Sequence, residues 1–345
     1  MNNLKKIGVS ALAASLTAVS AQAIEMSVSG YWELTHKSME GTTSATANAG
    51  NAFGSKSAME FNGSGDVNGM TAAVYSAMND NNQSAFLSHM ITLDMGDLGM
   101  VGLDQGVGKF GFSTIDDKTP SAYEESWHGT SFSSAGLGAT GGSSDVLGYK
   151  NSYAGFNLTA EYAPSFNKTA DNGDGGTQGV GSHGSNMNFA ITTSSLVDGL
   201  DVGFGAGEND DNRVVAGGAS QDQSSAGAYA NYAYGPVTVG YTRTYTSGNI
   251  AASAANQIDA YGIAFNVNEN LSISYNEHEN EFKKTSTAAT GVTGQADVTQ
   301  KSTGIAAAYT MGAAALRIQN NDIDNVAGVT GTNEEMTEVS LFLSF

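Results

Sequence analysis

Apolar and polar positions alternate with a period of two along most of the chain, in segments of about ten residues, which is the pattern of strands with one greasy and one wet face. Near the start, Met26, Val28, Trp32 and Leu34 share a phase opposite Ser27, Ser29, Tyr31 and Glu33. At the end, Val339, Leu341, Leu343 and Phe345 alternate with Glu338, Ser340, Phe342 and Ser344. The pattern predicts strands over 25–35, 56–65, 69–78, 85–95, 98–104, 145–151, 154–163, 185–196, 200–208, 225–235, 236–246, 257–267, 270–280, 300–311, 313–320 and 335–345, sixteen in all. Helical periodicity is nearly absent.

The connections sort into two kinds. Short ones, such as Asp66-Val67-Asn68, Gly96-Asp97, Ser152-Tyr153, Gly235-Pro236 and Gly312, alternate strictly with mostly long polar ones. Strict alternation of tight turns and long loops marks an antiparallel up-and-down meander. A soluble sheet would have to bury its apolar face under a second layer, and no helical pattern is available to supply one. Lipid against the apolar face and water against the polar face resolve this, provided the sheet closes so that no edge group is left unpaired in hydrocarbon. The fold class expected is therefore all-β: a transmembrane antiparallel up-and-down β-barrel of 16 strands. Trp32, Tyr149, Tyr162, Tyr234, Tyr245, Phe265, Tyr275, Tyr309 and Phe345 fall toward strand ends, where interfacial aromatic girdles sit. Strand Gly and Ala are expected on the inner wall, keeping the lumen open.

Composition narrows the function. The 345 residues include 44 Gly, 3 Pro and no Cys, which excludes a disulfide framework and a Cys-ligated centre. A formal charge of −20 leaves no clustered cations for a nucleic-acid partner. Lys5 and Lys6, an apolar stretch from Ile7 to Val19 and the Ala21-Gln22-Ala23 site read as a secretory signal, so residues 1–23 are expected to be cleaved from a 24–345 barrel domain.

The Ala21-Gln22-Ala23 site followed by a strand, the turn Met95-Gly96-Asp97-Leu98-Gly99, the long third loop and the terminal strand closing on Phe345 together resemble the general diffusion porins of the Gram-negative outer membrane, of proteobacterial type. The resemblance spans the whole mature chain. It implies a homotrimer, a third loop folded into the lumen as a constriction, residence in the cell outer membrane among lipid and lipopolysaccharide, and assembly by the outer-membrane machinery, for which Phe345 is similar to the recognition signal. The chain departs from the enteric pattern in lacking a Pro-Glu-Phe motif in that loop and a dense arginine ladder opposite it, so site geometry is not carried over.

The third loop, 105–144, is too long for a mere connector. It carries Asp116, Asp117, Glu124 and Glu125 against Lys109 and Lys118, with Tyr123, Trp127 and Phe132 able to pack it against a wall. Alternation puts Glu33, Glu60, Asp94, Asp104, Glu161 and Asp201 on the lumen wall, together with Lys56, Lys150 and Arg317. Six acids against three bases predict a passive pore for small hydrophilic solutes with a mild cation preference. Arg243 shares the phase of Val237, Val239 and Tyr241 and is left unassigned; His89 shares that of Leu87, Ile91 and Leu93 and would face lipid unless a neighbouring subunit covers it.

Other motifs weigh less. Asp171 and Asp174, in Asp171-Asn172-Gly173-Asp174-Gly175-Gly176, offer a weak calcium candidate without the spacing or closing Glu of an EF-hand, so no cofactor or metal is expected. Gly136-Leu137-Gly138-Ala139-Thr140-Gly141 matches a dinucleotide fingerprint only literally, with no strand-then-helix context. No hydrolase motif is present, and an enzyme is not expected. A substrate-specific channel lacks a visible lysine cluster or aromatic stripe to support it, and a non-transporting barrel adhesin or surface receptor would need a plugged lumen.

Overall fold

A computed structural model describes residues 25–43, 50–79, 88–130, 146–164, 184–210, 214–215, 218–219, 222–247, 255–283 and 297–345. The leader, Phe132, Asp171, Asp174 and the 136–141 glycine motif lie outside the described residues. The barrel strands are β1 (Glu25–Gly41), β2 (Phe53–Val67), β3 (Met70–Asn79), β4 (Ser88–Asp94), β5 (Met100–Gln105), β6 (Val146–Tyr153), β7 (Phe156–Ala163), β8 (Asn186–Thr193), β9 (Leu200–Asn209), β12 (Gln223–Tyr234), β13 (Val237–Thr246), β14 (Ala255–Asn266), β15 (Leu271–Lys283), β16 (Val298–Met311), β17 (Ala314–Asp324) and β18 (Asn333–Ser344). A two-residue hairpin, β10 (Val214–Val215) and β11 (Gly218–Ala219), stands apart.

Each barrel strand pairs antiparallel with its chain neighbour, and β1 closes the ring by pairing with β18, from Tyr31 opposite Ser344 to Gly41 opposite Glu334. Reciprocal hydrogen bonds of 2.9 and 3.0 Å between the backbones of Gly30 and Phe345 extend that seam to the last residue. Closure leaves none of the described barrel strands with a bare edge, the condition for burying a sheet in hydrocarbon. Among the described residues no helix is long and apolar enough to cross a membrane.

The two faces invert the usual order of a soluble protein. Trp32, Ile91, Phe204, Ile263 and Leu341 are exposed on the outside, whereas Asn188, Asn276, Gln319 and Ser340 are buried within. Register carries the phase around the wall: Leu34 lies opposite Leu341, which lies opposite Leu316, which lies opposite Tyr309. The aromatic residues expected near strand ends all point outward by this register.

Several strands run past their predicted ends on the long-loop side. β1 reaches Gly41, β15 reaches Lys283 and β17 reaches Asp324. The outward positions there are polar, among them Ser38, Glu277, Glu279, Asp322 and Asp324, so the apolar alternation stops while backbone pairing continues. The β6–β7 turn also shifts from Ser152-Tyr153 to Ala154-Gly155, where two consecutive residues have positive φ (51° and 82°), a geometry that glycine makes affordable.

Candidate pore constriction

The described part of the third loop, residues 106–130, folds into the barrel, and its two halves are held differently. At the exit from β5 the buried Asp104 carboxylate accepts the backbone N–H groups of Val107 and Lys109 at 2.7 and 2.8 Å, turning the chain inward. A 3₁₀ turn over Gly111–Ile115 then lies on the inner wall. Gly111 N–H donates to Thr159 on β7 (2.8 Å) and Phe112 N–H to Asn188 on β8 (2.6 Å). Phe110, Phe112 and Ile115 are fully buried. Their seats are glycines: a Cβ at Gly102 would come within 2.8 Å of the Phe110 ring, one at Gly148 would overlap that ring, and one at Gly205 would overlap the ring of Phe112. The inner-wall glycines therefore serve as a bed for the loop as well as sparing the lumen. Burying each Phe side chain contributes about 2–3 kcal/mol.

The second half lies on polar wall. Asn231 on β12 donates to the Lys118 carbonyl (2.7 Å), and Pro120 packs over Gly240 and Gly262. Ala122 N–H donates to Ser274 Oγ on β15 at 2.8 Å. Ser126 Oγ lies 2.9 Å from His278 Nδ1, both groups buried. Asn321 on β17 donates to the carbonyls of Glu125 and His128 (3.3 and 3.0 Å), and Lys37 on β1 donates to the Gly129 carbonyl (2.9 Å). The loop thus follows the inner wall from β5 round to β1.

Tyr123 is the pivot of this half. Its hydroxyl sits 3.0 Å from a Glu33 oxygen and 2.9 Å from a Glu338 oxygen, and one proton can be donated to only one of them at a time. Burial and the two carboxylates push its phenol well above the ordinary tyrosine range. Glu33 is also held by Ser340, by Lys56 at 2.9 Å and by Arg317 at 3.8 Å, and the Arg317 guanidinium covers the Tyr123 and Phe342 rings.

All nine wall residues picked by alternation face inward by register, yet they do not share one environment. Glu33, Asp104 and Glu161 are buried in contacts that hold the loop, and Glu125 is buried beneath it. Desolvation, with Asp117, Glu124 and Asp116 nearby, pushes the Glu125 carboxyl up to about 8. The simple count of six wall acids against three bases therefore overstates the negative charge that meets water. Glu60, Asp94, Asp201, Lys56, Lys150 and Arg317 remain at least partly accessible, as do Lys109, Asp116, Asp117, Lys118 and Glu124 on the loop. Lys109, Lys118 and Lys150 line a single cavity of about 800 Å³, a grouping the linear chain does not display.

Arg243 faces outward. Its guanidinium makes a two-pronged pair with Asp259 (2.6 and 2.9 Å), and Asp259 also accepts from the Tyr241 hydroxyl. Lys301 likewise bonds Glu277 and Glu279 at 2.5 and 3.4 Å on the exterior. Polar phase alone could not find this belt, because its members share the apolar face lower on the same strands. His89 also faces outward, opposite Ser76 and Gln105.

Comparison with known proteins places this architecture. A family profile described as Gram-negative porin matches residues 8–335. No curated protein matches the chain. Among solved structures, OmpF of Salmonella typhi in complex with daunomycin is similar at TM-score 0.65 and 14% identity, over 93% of this chain and 98% of that one. An anion-selective porin from Comamonas acidovorans gives 0.63 and 15%, over 93% and 99%. In vitro folded OmpT of Vibrio cholerae gives 0.64 and 12%, over 95% and 99%. At such identities these likenesses establish the barrel, and the family match covering most of the sequence establishes the rest: this chain belongs to the Gram-negative porins, channel-forming barrels of the outer membrane.

Proposed function

We propose that the barrel is a passive diffusion pore for small hydrophilic solutes and ions, with its narrowest passage between the loop's free edge and the inner faces of β1 to β4. The observation that carries this reading is the loop itself, anchored inside a closed, polar-walled barrel. The loop's accessible charges, Lys109, Asp116, Asp117, Lys118 and Glu124, and Lys56 and Glu60 on the inner face of β2 are read as the groups that line the passage, Asp116 and Asp117 on the side turned to β13–β15. Glu125 contributes as a buried anchor. Size and charge at such a narrowing decide passage without chemistry, and the buried Ser126–His278 contact is structural rather than catalytic. One similar structure is an anion-selective porin, so fold does not set the sign of ion preference; the surplus of accessible acids over bases here supports a mild preference for cations, without a bound cofactor or metal.

The assembly is read as a homotrimer of the processed 24–345 chain. Among the described residues strands β4 to β8 span 6–8 residues, fewer than the roughly 9–11 a tilted strand needs to cross hydrocarbon. Neighbouring copies covering β4 and β5 would shelter this low sector and the outward His89. The taller sector, with its charged belt at headgroup height, suits lipid and lipopolysaccharide, and Phe345 at the closing seam suits recognition by the assembly machinery.

Conductance of the purified barrel in planar bilayers tests the proposal. Current steps arriving in threes, with a reversal potential displaced toward cations in a salt gradient and less so at high salt, are expected. A barrel that inserts without conducting would overturn the pore and favour a surface receptor; clear anion preference would overturn the charge assignment.

A further inference from the structure

Lys109, Lys118 and Lys150 are spread over 42 positions of sequence, yet all three line the cavity of about 800 Å³ between the first half of the loop and the short-turn end of β4 to β7. Two hang from the loop and the third projects inward from β6, where its position lies opposite Met100. Among the described residues none of the three ammonium groups lies within ion-pair distance of a carboxylate. Lys118 is instead steered by the Tyr229 ring, 5.7 Å from its centre. The cavity is also lined by three carboxylates, which balance the lysines in formal charge; two are oriented by neighbours, Asp201 accepting the Tyr229 hydroxyl at 3.0 Å and Asp94 the Gly96 N–H at 2.9 Å. The third, Asp97, stands at the mouth on the turn joining β4 to β5. Asn157 and Thr192 supply amide and hydroxyl groups on the floor.

We infer that this cavity is a binding subsite for small polyhydroxylated solutes bearing one carboxylate or phosphate. The inference rests on the pore reading above and names a solute class for it. Three ammonium groups without an ion-pair partner can each offer a charge-assisted hydrogen bond to an anionic group held among them. The hydroxyl and amide floor matches the hydroxyls of a sugar acid or sugar phosphate, and the volume falls in the range of small-molecule sites. The site retains such solutes on their way through, while the acids elsewhere in the passage continue to favour small cations.

The test uses the processed, full-length barrel in planar bilayers at low salt, with gluconate and glucose 6-phosphate as probes and glucose and glucosamine as comparators. Gluconate and glucose 6-phosphate are expected to interrupt the current at concentrations about tenfold lower than glucose or glucosamine, a free-energy difference of about 1.4 kcal/mol. Block by one anion but not the other identifies which anionic group is held. Combining Lys109→Gln, Lys118→Gln and Lys150→Gln should abolish the discrimination and displace the reversal potential further toward cations, whereas Lys283→Gln on the exterior should do neither. A channel that conducts but treats gluconate, glucose 6-phosphate and glucose alike, or a triple variant that still discriminates, overturns the subsite and leaves the pore reading standing. Absence of current overturns the pore reading; calorimetric titration of the detergent-solubilised barrel with gluconate then decides the subsite separately, binding supporting it and no binding overturning it. Heat-modified migration on gels confirms that each variant is folded.

Discussion

The two halves of the infolded loop solve the same problem by different physics. From Phe110 to Ile115 the chain is fastened by aromatic and aliphatic side chains seated on glycines of the wall, with Phe112, Ile115, Ala190 and Tyr229 forming a small buried apolar cluster. From Thr119 to Gly129 it is fastened by hydrogen bonds to Ser274, His278, Asn321, Glu33 and Glu338. An apolar seat is indifferent to pH and hard to fill by anything larger than glycine. A polar seat contains titratable groups and takes its strength from complete pairing. One end of the constriction is thus a steric fixture and the other an electrostatic one.

The largest break in that contrast is expected from the apolar half. Phe110→Ala removes the ring seated on Gly102 and Gly148 at a cost of about 3–5 kcal/mol, and Gly148→Val should expel the same ring from the opposite side. Both variants should raise single-channel conductance by letting the first half leave the wall. Unchanged conductance in both would mean that the passage is bounded elsewhere.

The next effect belongs to the polar half and depends on pH. In the docked loop the Glu125 carboxyl is raised to about 8 from an ordinary value of 4.5, so docking binds a proton that a released loop would give up. Docking is fully favoured below the ordinary value and weakens as pH rises toward 8, by proton linkage. Current fluctuations should therefore grow between pH 5 and pH 8, about one ordinary carboxyl range to one raised one, and Glu125→Gln should remove that dependence. Fluctuations equally pH-dependent in the variant would place the titrating group elsewhere.

Tyr123→Phe is a smaller change in the same half. It deletes the hydroxyl between Glu33 and Glu338 and leaves one of the two buried carboxylates short of a donor, a loss of about 1–3 kcal/mol. The expected readout is noisier current with little change in mean conductance. Smallest of all is Arg243→Gln on the exterior, which should leave conductance and ion preference as they were. A shift in either would mean that the outer belt couples to the lumen.

Much of the architecture is written locally. Period-two alternation names each strand, its phase separates Glu60, Lys56 and Arg317 from Trp32 and Leu341, and the alternation of short and long connections orders the meander. These are legible because a strand's two faces depend only on neighbours in the chain. Strand ends beyond the apolar band were not legible, since Glu277, Glu279 and Lys301 break the hydrophobic rhythm without breaking the ladder.

The chain by itself thus decided that a closed sheet with an apolar exterior would form, and which side chains would look inward. Only the tertiary structure decided which of those meet water. Glu33, Asp104 and Glu161 are covered because a loop from one strand pair lies across them, with Tyr123 on Glu33, Val107 on Asp104 and Gly111 on Glu161, and the three lysines converge because that loop returns along the wall carrying two of them toward the third. Facing is set by backbone geometry over two residues, whereas burial and charge grouping are set by contacts between segments far apart in sequence.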